Sequence, residues 1–348
     1  MKEMLVDGVP INHPEYCYVV AEIGHNHQGD VEKAKEMFSV AKQCGVNAVK
    51  LQKRSNRHLF TREIYQAPYD HKNSFGKTYG QHREALEFDR KQYLELQAYA
   101  AQIGLTLFAT AFDFQSADFL ASLDMPAFKI ASGDLKNIPL QKHIAGFGKP
   151  VFLSTGGGSL ADVRRAYDAI MPINSQLSIL QCTAAYPAQH EDLNLRVITR
   201  YRELFPDVVV GLSDHENGIA MALVAFMLGA RVIEKHFTLN HTLKGTDHAF
   251  SLEPIGMRKL VRDLRRTPLA LGSDEKVPLE CESKPLLKMS KKLVAAHPLP
   301  SGQVLSREDV AIRSPGNGLP PYELERVIGR ELIRNLETDE NITFEILR

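Results

Sequence analysis

The strongest constraint on the fold of this sequence is a regular alternation of short β-rich runs with helical segments from residue 17 to about residue 272. The intervening segments, such as DVEKAKEMFSVAKQCG (30–45) and DRKQYLELQAYAAQIG (89–104), have helical spacing and a closing glycine. Eight strands alternating with helices predict an α/β fold, the (β/α)8 TIM barrel. A doubly wound sheet is the alternative, but it usually has fewer strands. The eight runs are CYVVAEIG, NAVKLQK, LTLFATAFD, AFKIASGD, PVFLSTGGG, LSILQCT, VVVGLSDH and RVIEKHFTL.

The alternation stops at residue 272, which indicates a boundary between two domains. Residues 1–272 are predicted to form the barrel domain, and residues 273–290 (SDEKVPLECESKPLLKMS) are predicted to be a linker. Residues 291–348 combine short strands, many turns and one short helix, which predicts a small α+β domain. A long polar segment, 54–88, separates the second and third strands, and we expect it to form a loop or lid over one barrel face.

Composition and charge exclude several classes of function. The 348 residues carry a formal net charge of zero, whereas general nucleic-acid or anionic-membrane binders need a basic excess. The longest apolar run, 219–230, is too short to span a bilayer, and the chain does not start with an apolar signal region. The four cysteines form no CxxC pair. We therefore expect a cytoplasmic protein with reduced thiols that binds neither nucleic acid nor membranes.

All eight predicted strands end in polar residues. Catalytic side chains of a TIM barrel project from the carboxyl ends of the strands, so a rim with eight polar ends predicts an active site there. In strand order these residues are Glu22; Lys50 and Gln52; Thr110; Lys129 and Ser132; Ser154 and Thr155; Thr183; Ser213 and His215; and Glu234 and His236.

Strand parity brings two histidines together on this rim. Alternate residues of a strand point to the same face, so Glu234 and His236 in VIEKHFTL share a face, as do Ser213 and His215 in GLSDH. Neutral imidazoles on adjacent strands, with a carboxylate nearby, suit a divalent metal with open positions. The alternative is that each histidine completes a buried hydrogen-bond network. The pair, with Glu22 also on the rim, favours the metal.

The other half of the rim has the composition of an anion site. In AVKLQK the apolar residues face the helices, so Lys50 points into the barrel. Lys50 and Lys129, surrounded by hydroxyls, suit a phosphate or a phosphorylated carboxylate. STGGGS (154–159) adds backbone N–H donors at a helix start. The alternatives are a lysine that extends to solvent and a glycine turn that binds nothing. The hydroxyl residues are Thr110, Ser132, Ser154 and Ser213.

Two loops after later strands carry further candidates. Tyr186 lies in TAAYP, after the sixth strand, and is a candidate for contact with a substrate, with simple packing as the alternative. Asp247 lies in KGTDHAFSLEP, after the last strand. Its carboxylate could bind the hydroxyls of a polyol, or it could form only an Asx-type turn.

Seven ordered motifs resemble those of the sialic acid synthases, the N-acetylneuraminate synthase family, and the tail resembles their antifreeze-like SAF domain. The resemblance covers essentially the whole chain. SFGKTYGQHREALEFDRKQYLELQ and LQCTAAYPAQHEDLNLRVI are most similar to the animal-type members, which make the 9-phosphate from a sugar 6-phosphate. The seven motifs are AEIGHNHQGD, FKIASGD, LSTGGGS, QCTAAYP, GLSDHENG, EKHFTL and KGTDHAFSLEP.

The resemblance implies an enzyme that condenses phosphoenolpyruvate (PEP) with N-acetylmannosamine or its 6-phosphate and releases phosphate, using Mn²⁺ or Mg²⁺. It also implies a domain-swapped homodimer, in which an arginine of the SAF domain reaches the neighbouring active site. Carried over by motif, the residues are His215 and His236 for the metal; Lys50, Thr110, Lys129, Ser132, Ser154 and Ser213 for PEP; Glu22 and Glu234 for acid–base chemistry; and Gln52, Tyr186, Asp247 and Arg313 for the sugar.

Three places depart from the family pattern. Ala184 stands where family members have a polar residue. The loop 156–158 is all glycine, where a bulky residue often follows the first one. Ser314 occupies the position before Pro-Gly where bacterial members have arginine, and Arg313 lies one residue earlier.

Three other functions are compatible with the same scaffold. A synthase for another nonulosonate, of the legionaminic or pseudaminic type used in surface polysaccharides, would share the barrel and differ in the loops that contact the sugar. A non-catalytic carbohydrate-binding protein is the second alternative, but it would not use a metal beside a PEP site. A metal-dependent phosphohydrolase is the third, and it would usually need more carboxylate ligands than this rim has.

Overall fold

The chain folds into a closed parallel barrel and a small second unit. A computed structural model describes residues 4–348. Eight parallel strands pair in chain order and the last closes on the first, so the predicted (β/α)8 barrel is confirmed. The strands are β1 (Tyr18–Gly24), β2 (Ala48–Lys53), β3 (Thr106–Ala111), β4 (Phe128–Ile130), β5 (Val151–Ser154), β6 (Leu177–Cys182), β7 (Val209–Asp214) and β8 (Val232–His236).

One main helix follows each strand and packs its apolar face against the outside of the barrel. Side-chain caps fix where several of them begin, because the first backbone N–H groups of a helix have no partner within it. Asp30, for example, accepts hydrogen bonds from the N–H groups of Glu32 and Lys33. Among residues 4–348 no helix is long and apolar enough to cross a membrane. The eight helices are Val31–Cys44, Arg90–Gln102, Phe114–Ala121, Ile138–Ala145, Leu160–Ile170, Arg196–Leu204, Ala220–Met227 and Pro254–Leu271.

The barrel interior changes from apolar to polar along the strands. Toward the amino ends it is filled by apolar side chains, among them Phe108 and Phe152, whose ring centroids lie 5.3 Å apart. An N-terminal hairpin, Leu5–Val6 paired with Val9–Pro10, adds to this cluster together with Ile11. This end of the barrel is therefore a packed core, and the space for a ligand lies at the carboxyl ends of the strands.

The polar segment after β2, predicted to be a loop or lid, contains three short helices: Asn56–Leu59, Arg62–Gln66 and Tyr79–Glu84. Thr78 starts the third, since its hydroxyl accepts a hydrogen bond from the Gln81 N–H. The sequence did not indicate these helices because each has six residues or fewer, too few for a helical period to be recognised.

Residues 273–348 form the second compact unit, separate from unit 1–272. Two strands, β9 (Lys292–Ala295) and β10 (Val310–Arg313), pair antiparallel and contribute to a small apolar core of their own. Residues 273–290, predicted to be a linker, include the helix Ser283–Met289.

Candidate active site

The register of the strands brings their carboxyl-end side chains to one level. Glu22 lies opposite Lys50, and Gln52 lies opposite Thr110. Neighbouring strands in register point equivalent side chains the same way, so these residues line one cavity of about 540 Å³. All barrel residues that were assigned a role line this cavity: Glu22, Lys50, Gln52, Thr110, Lys129, Ser132, Ser154, Tyr186, Ser213, His215, Glu234, His236 and Asp247. The other two polar strand ends, Thr155 and Thr183, do not line it, and their hydroxyls donate to backbone carbonyls. The individual roles of the assigned residues remain predictions.

Arg313, the remaining predicted site residue, lies in the second unit at the end of β10. Its guanidinium Nη1 is 2.5 Å from Oδ1 of Asp339, and the side chain is half-exposed. Its role at a neighbouring active site remains a prediction.

Lys50 is the central charge of the cavity. Its Nζ lies 2.6 Å from Oε2 of Glu22 and 3.7 Å from Oε2 of Glu234, and it donates to Oγ1 of Thr110 at 2.7 Å. The other oxygen of Glu22 accepts a hydrogen bond from Gln52 at 2.6 Å. One buried ammonium group therefore lies within 4.0 Å of two carboxyl groups.

The two carboxylates differ in pKa. Burial raises the pKa of Glu22, and the lowering effect of Lys50 is partly offset by the negative charge of Glu234. Burial also opposes ionisation of Glu234, but Lys129 and Lys50 outweigh it and lower its pKa to about 2. Two titratable groups whose environments shift their pKa values in opposite directions are suited to different roles in acid–base chemistry. Glu22 is the carboxyl that gains a proton more readily, and Glu234 is the one that stays ionised.

Lys129 and the hydroxyl groups form the predicted anion site. Lys129 donates to Oγ of Ser154 at 2.6 Å, and burial lowers its pKa. The Gly156 N–H donates to Oγ of Ser132 at 3.0 Å, so the glycine loop lies directly beside the cavity. A Cβ on Gly156 would be 2.9 Å from the Cβ of Ala184. The glycine loop therefore packs closely on Ala184, and a side chain at position 156 would not fit between Ser132 and Ala184.

The two predicted metal ligands face each other, with ring centroids 5.4 Å apart. Nδ1 of His215 lies 2.9 Å from the carbonyl oxygen of Thr183. Since a carbonyl only accepts, Nδ1 carries the proton and Nε2 keeps a free lone pair. Burial lowers the pKa of His236 and keeps its imidazole neutral. Nδ1 of His236 has no hydrogen-bond partner within the described chain, and Oδ2 of Asp247 is 3.8 Å from it.

These imidazoles fit a divalent metal. Buried polar atoms are nearly always hydrogen-bonded, so the unpartnered Nδ1 of His236 is the observation that favours a ligand at this place. Among residues 4–348 no three histidine, cysteine, aspartate or glutamate side chains are grouped to hold a metal ion. A metal bound here would therefore keep open positions for substrate or water, as catalytic sites require.

The wall beside the histidines is shaped to hold a polar ligand. The Tyr186 ring centroid lies 4.2 Å from that of His215, and Phe250 lies 4.9 Å from His236. Gly24 has φ +54° and lies between two polar side chains, since a Cβ there would be 3.2 Å from both Gln52 Nε2 and Glu22 Oε1. A side chain at this position would displace the groups that face the ligand.

Lys235, which lies between Glu234 and His236 in β8, does not line the cavity. Lys235 points out of the barrel and is fully buried, with its Nζ 2.7 Å from Oδ2 of Asp214 and 2.6 Å from the carbonyl oxygen of Glu216. These contacts join β8 to the end of β7 directly behind the two histidines. We interpret Lys235 as a positioning residue for that pair.

The cavity also contains residues that the sequence analysis missed. Arg54 follows β2 with the same parity as Gln52, and that parity was the signal that could have found it. Arg83 comes from the short helix Tyr79–Glu84, where no strand parity applies. The other missed lining residues are Phe112, Ala131, Gly133, Thr246 and Phe250.

Buried neutral histidines make the barrel sensitive to acid. Burial lowers the pKa of His27, which stacks on Phe88, to about 3. An unfolded histidine has a pKa near 6.5, so the unfolded chain binds the extra proton and stability falls as the pH drops below about 6.5. His27→Asn keeps an acceptor for the Gly29 N–H. In the unmodified protein the free energy of unfolding should fall between pH 7 and pH 5. We expect His27→Asn to make that fall smaller by about 2 kcal/mol, as measured by urea unfolding at both pH values. Identical pH profiles for variant and wild type would contradict this.

Two family models match the chain. The NeuB family matches residues 37–276, and the SAF domain matches residues 292–348. The chain belongs to the NeuB family, and the family and SAF domain predicted from the sequence motifs are confirmed.

Curated relatives and solved structures agree with this assignment. The chain is 41% identical to the N-acetylneuraminate-9-phosphate synthase of Homo sapiens, over 96% of this chain and 93% of the human protein. It is 35% identical to the N,N'-diacetyllegionaminic acid synthase of Legionella pneumophila, over 94% of each chain. The structure of the N-acetylneuraminic acid synthetase of Leptospira borgpetersenii superposes with a TM-score of 0.71 at 29% identity, covering 82% of this chain and 95% of that one.

Proposed function

We propose that this protein condenses PEP with N-acetylmannosamine or its 6-phosphate, forming a sialic acid or its 9-phosphate and releasing phosphate. The observation that carries the proposal is the arrangement of Glu22, Glu234 and Lys50 in one buried cluster, with opposite pKa shifts on the two carboxylates. The 41% identity to the human 9-phosphate synthase supports it.

PEP binds against the two buried lysines in this proposal. Its phosphate and carboxylate together carry several negative charges, and Lys50 and Lys129, both buried side chains that line the cavity, offer charge-assisted hydrogen bonds. Fixing both anionic groups orients the enol carbon toward the second substrate and lowers the entropic part of the barrier. The hydroxyls that complete the binding site are Thr110, Ser132, Ser154 and Ser213.

The acid–base steps follow from the pKa difference. Carbon-3 of PEP attacks the sugar aldehyde, positive character develops at carbon-2, water adds there, and the tetrahedral intermediate loses phosphate. Glu22, with its raised pKa, supplies a proton to the aldehyde oxygen as the carbon–carbon bond forms. Glu234 stays ionised, stabilises the positive carbon and accepts a proton from the attacking water.

His215 and His236 hold a divalent ion, Mn²⁺ or Mg²⁺, in this proposal. When bound, such an ion supplies Lewis-acid polarisation of the aldehyde. The carbonyl of Thr183 fixes the tautomer of His215, which directs its free nitrogen toward the cavity. Gln52, Tyr186 and Asp247 contact the sugar.

We further propose that the enzyme works in the cytoplasm as a domain-swapped homodimer. The supporting observation is that the Arg313 side chain is half-exposed on β10; to reach a second subunit it would have to exchange its contact with Asp339 for one in the neighbouring site. The family resemblance motivates this part of the proposal.

Phosphate release from PEP tests the function directly. We expect purified protein with Mn²⁺ to release phosphate only when N-acetylmannosamine or its 6-phosphate is present, and chelation to abolish the release. Mannose 6-phosphate and a reaction without sugar serve as controls. Release without any sugar would point to a phosphohydrolase, and no release with either N-acetylmannosamine substrate would contradict the proposal.

A further inference from the structure

The outer wall of the cavity contains two arginines that the proposed chemistry does not use. Arg54 lies just beyond β2 and Arg83 in the helix Tyr79–Glu84, and both line the cavity that contains the predicted site residues. Neither guanidinium lies within 4.0 Å of a carboxylate oxygen of residues 4–348. The inner lysine, Lys50, differs from them, because carboxyl oxygens of Glu22 and Glu234 lie 2.6 and 3.7 Å from its ammonium group.

Arg54 is a buried cation with no carboxylate in direct contact among residues 4–348, although the charge of Glu87 lies near enough to raise its pKa. The residue is only 8% exposed, and its guanidinium stacks on Phe112 with Cζ 3.6 Å from the ring centroid. Burial and the nearby charge of Arg83 lower its pKa to about 10. An unpaired charge is costly to bury, so this arrangement favours an anionic ligand that completes it.

Arg54 and Arg83 both contact the ring of His25, which cannot accept a hydrogen bond from each of them. The buried ring of His25 lies between them, with Nε2 3.0 Å from Nη1 of Arg54 and Nδ1 3.1 Å from Nη1 of Arg83. Burial and both arginines lower the pKa of His25 well below its usual value, so the ring is neutral and accepts at only one nitrogen. One guanidinium therefore faces an N–H group. Arg83 also donates from Nε and Nη2 to the hydroxyl of Tyr79, at 3.0 and 2.8 Å. His25 and Tyr79 thus hold the two guanidinium groups in place, and the N–H groups that make none of these contacts are the ones that would bind an anion.

The position of Arg54 just beyond β2 separates it from the lysine assigned to PEP. Lys50, Gln52 and Arg54 follow each other at two-residue steps of about 6.6 Å. Lys50, the innermost of the three, is assigned to PEP, and Gln52, the middle one, is assigned to the sugar. A charge at the third step therefore lies at the far end of the sugar from its reacting carbon.

We propose that Arg54 and Arg83 bind the phosphate group of the sugar, so that the second substrate is N-acetylmannosamine 6-phosphate and not the free sugar. This inference rests on the proposed condensation of PEP with an N-acetylmannosamine. Planar guanidinium groups are well suited to phosphate oxygens, because each can donate two parallel hydrogen bonds.

Steady-state kinetics with both sugars test the pair. We expect Arg83→Gln to lower kcat/KM for N-acetylmannosamine 6-phosphate by roughly 10- to 100-fold and to change that for N-acetylmannosamine by less than about threefold. Arg54→Lys, which keeps a charge at the buried position, is expected to shift the same ratio in the same direction. Arg57→Gln is the matched control, since Arg57 is an exposed arginine of the same segment that does not line the cavity.

A binding measurement keeps this test independent of turnover. Calorimetric titration of the unmodified protein with N-acetylmannosamine 6-phosphate and with N-acetylmannosamine should show tighter binding of the phosphate, and Arg83→Gln should remove the difference. If that selectivity is present without any PEP turnover, the proposed reaction fails and the phosphate site stands. Equal affinity of the unmodified protein for both sugars, equal losses for both sugars in the variants, or a raised KM for PEP would overturn the inference.

Discussion

Glu22→Gln is expected to lower kcat by roughly 10²- to 10⁴-fold, the range that a positioned general acid or base contributes. The glutamine keeps the shape of the side chain and removes the carboxyl group that exchanges a proton with the substrate. The carboxyl group that donates a proton is uncharged, and so is the amide that replaces it. The charge around Lys50 therefore changes little, and the KM for PEP should stay the same. Initial rates of phosphate release at varied PEP and saturating sugar measure both parameters.

The control for this variant is Glu95→Gln. Glu95 forms an ion pair with Lys35 at 2.6 Å, the same separation as in the Glu22–Lys50 pair, but on the outer surface of the barrel. Its loss should leave kcat unchanged. A Glu22→Gln enzyme with near-normal kcat and a raised KM for PEP would show that Glu22 only orients Lys50. The proton transfer would then have to be assigned to another group.

The inner wall of the site could be predicted from the sequence because strand geometry has a period of two. Once β2 is recognised, Lys50 and Gln52 must point into the barrel, and a parallel register places them level with Glu22 and Thr110. The same parity rule paired His215 with His236 on neighbouring strands. Regular secondary structure therefore carried the prediction of both the fold and the inner half of the cavity.

The outer wall could not be predicted in this way. Arg54 continues the parity of β2 one residue beyond the strand, but no pattern in the sequence places Arg83, which comes from a helix of six residues, beside it. Their proximity depends on the buried ring of His25 in a third segment. Contacts among three such segments depend on tertiary packing, which produces no periodic pattern in the sequence.

The pKa difference between the two glutamates also required the structure. Both are buried at the ends of neighbouring strands, and the sequence gives no reason to distinguish them. The difference arises because Glu234 is stabilised by two lysines, Lys129 and Lys50, whereas the main cation for Glu22 is Lys50, and Glu22 also faces the charge of Glu234. The assignment of proton donor and proton acceptor is thus a consequence of how four strands converge.

His236→Ala is expected to lower kcat by roughly 10³-fold or more, and to weaken binding of Mn²⁺. A metal that polarises a carbonyl contributes several kcal/mol to catalysis, and each 1.36 kcal/mol is a factor of ten in rate. The variant also removes the buried nitrogen that has no protein partner in the described chain. Phosphate release at saturating Mn²⁺ measures the rate, and the electron paramagnetic resonance signal of free Mn²⁺ measures the binding.

The comparison with His143→Ala separates a metal ligand from a histidine that only maintains the fold. His143 lies outside the cavity and pairs with Asp118 at 2.6 Å, so its replacement should leave Mn²⁺ binding and kcat unchanged. If His236→Ala bound Mn²⁺ as the unmodified protein does, the nitrogen would have to contact substrate directly, and the metal would be excluded from this pair of histidines. If binding and rate fell together, His236 would be a ligand of the metal, and the small number of protein ligands would leave positions open for substrate or water.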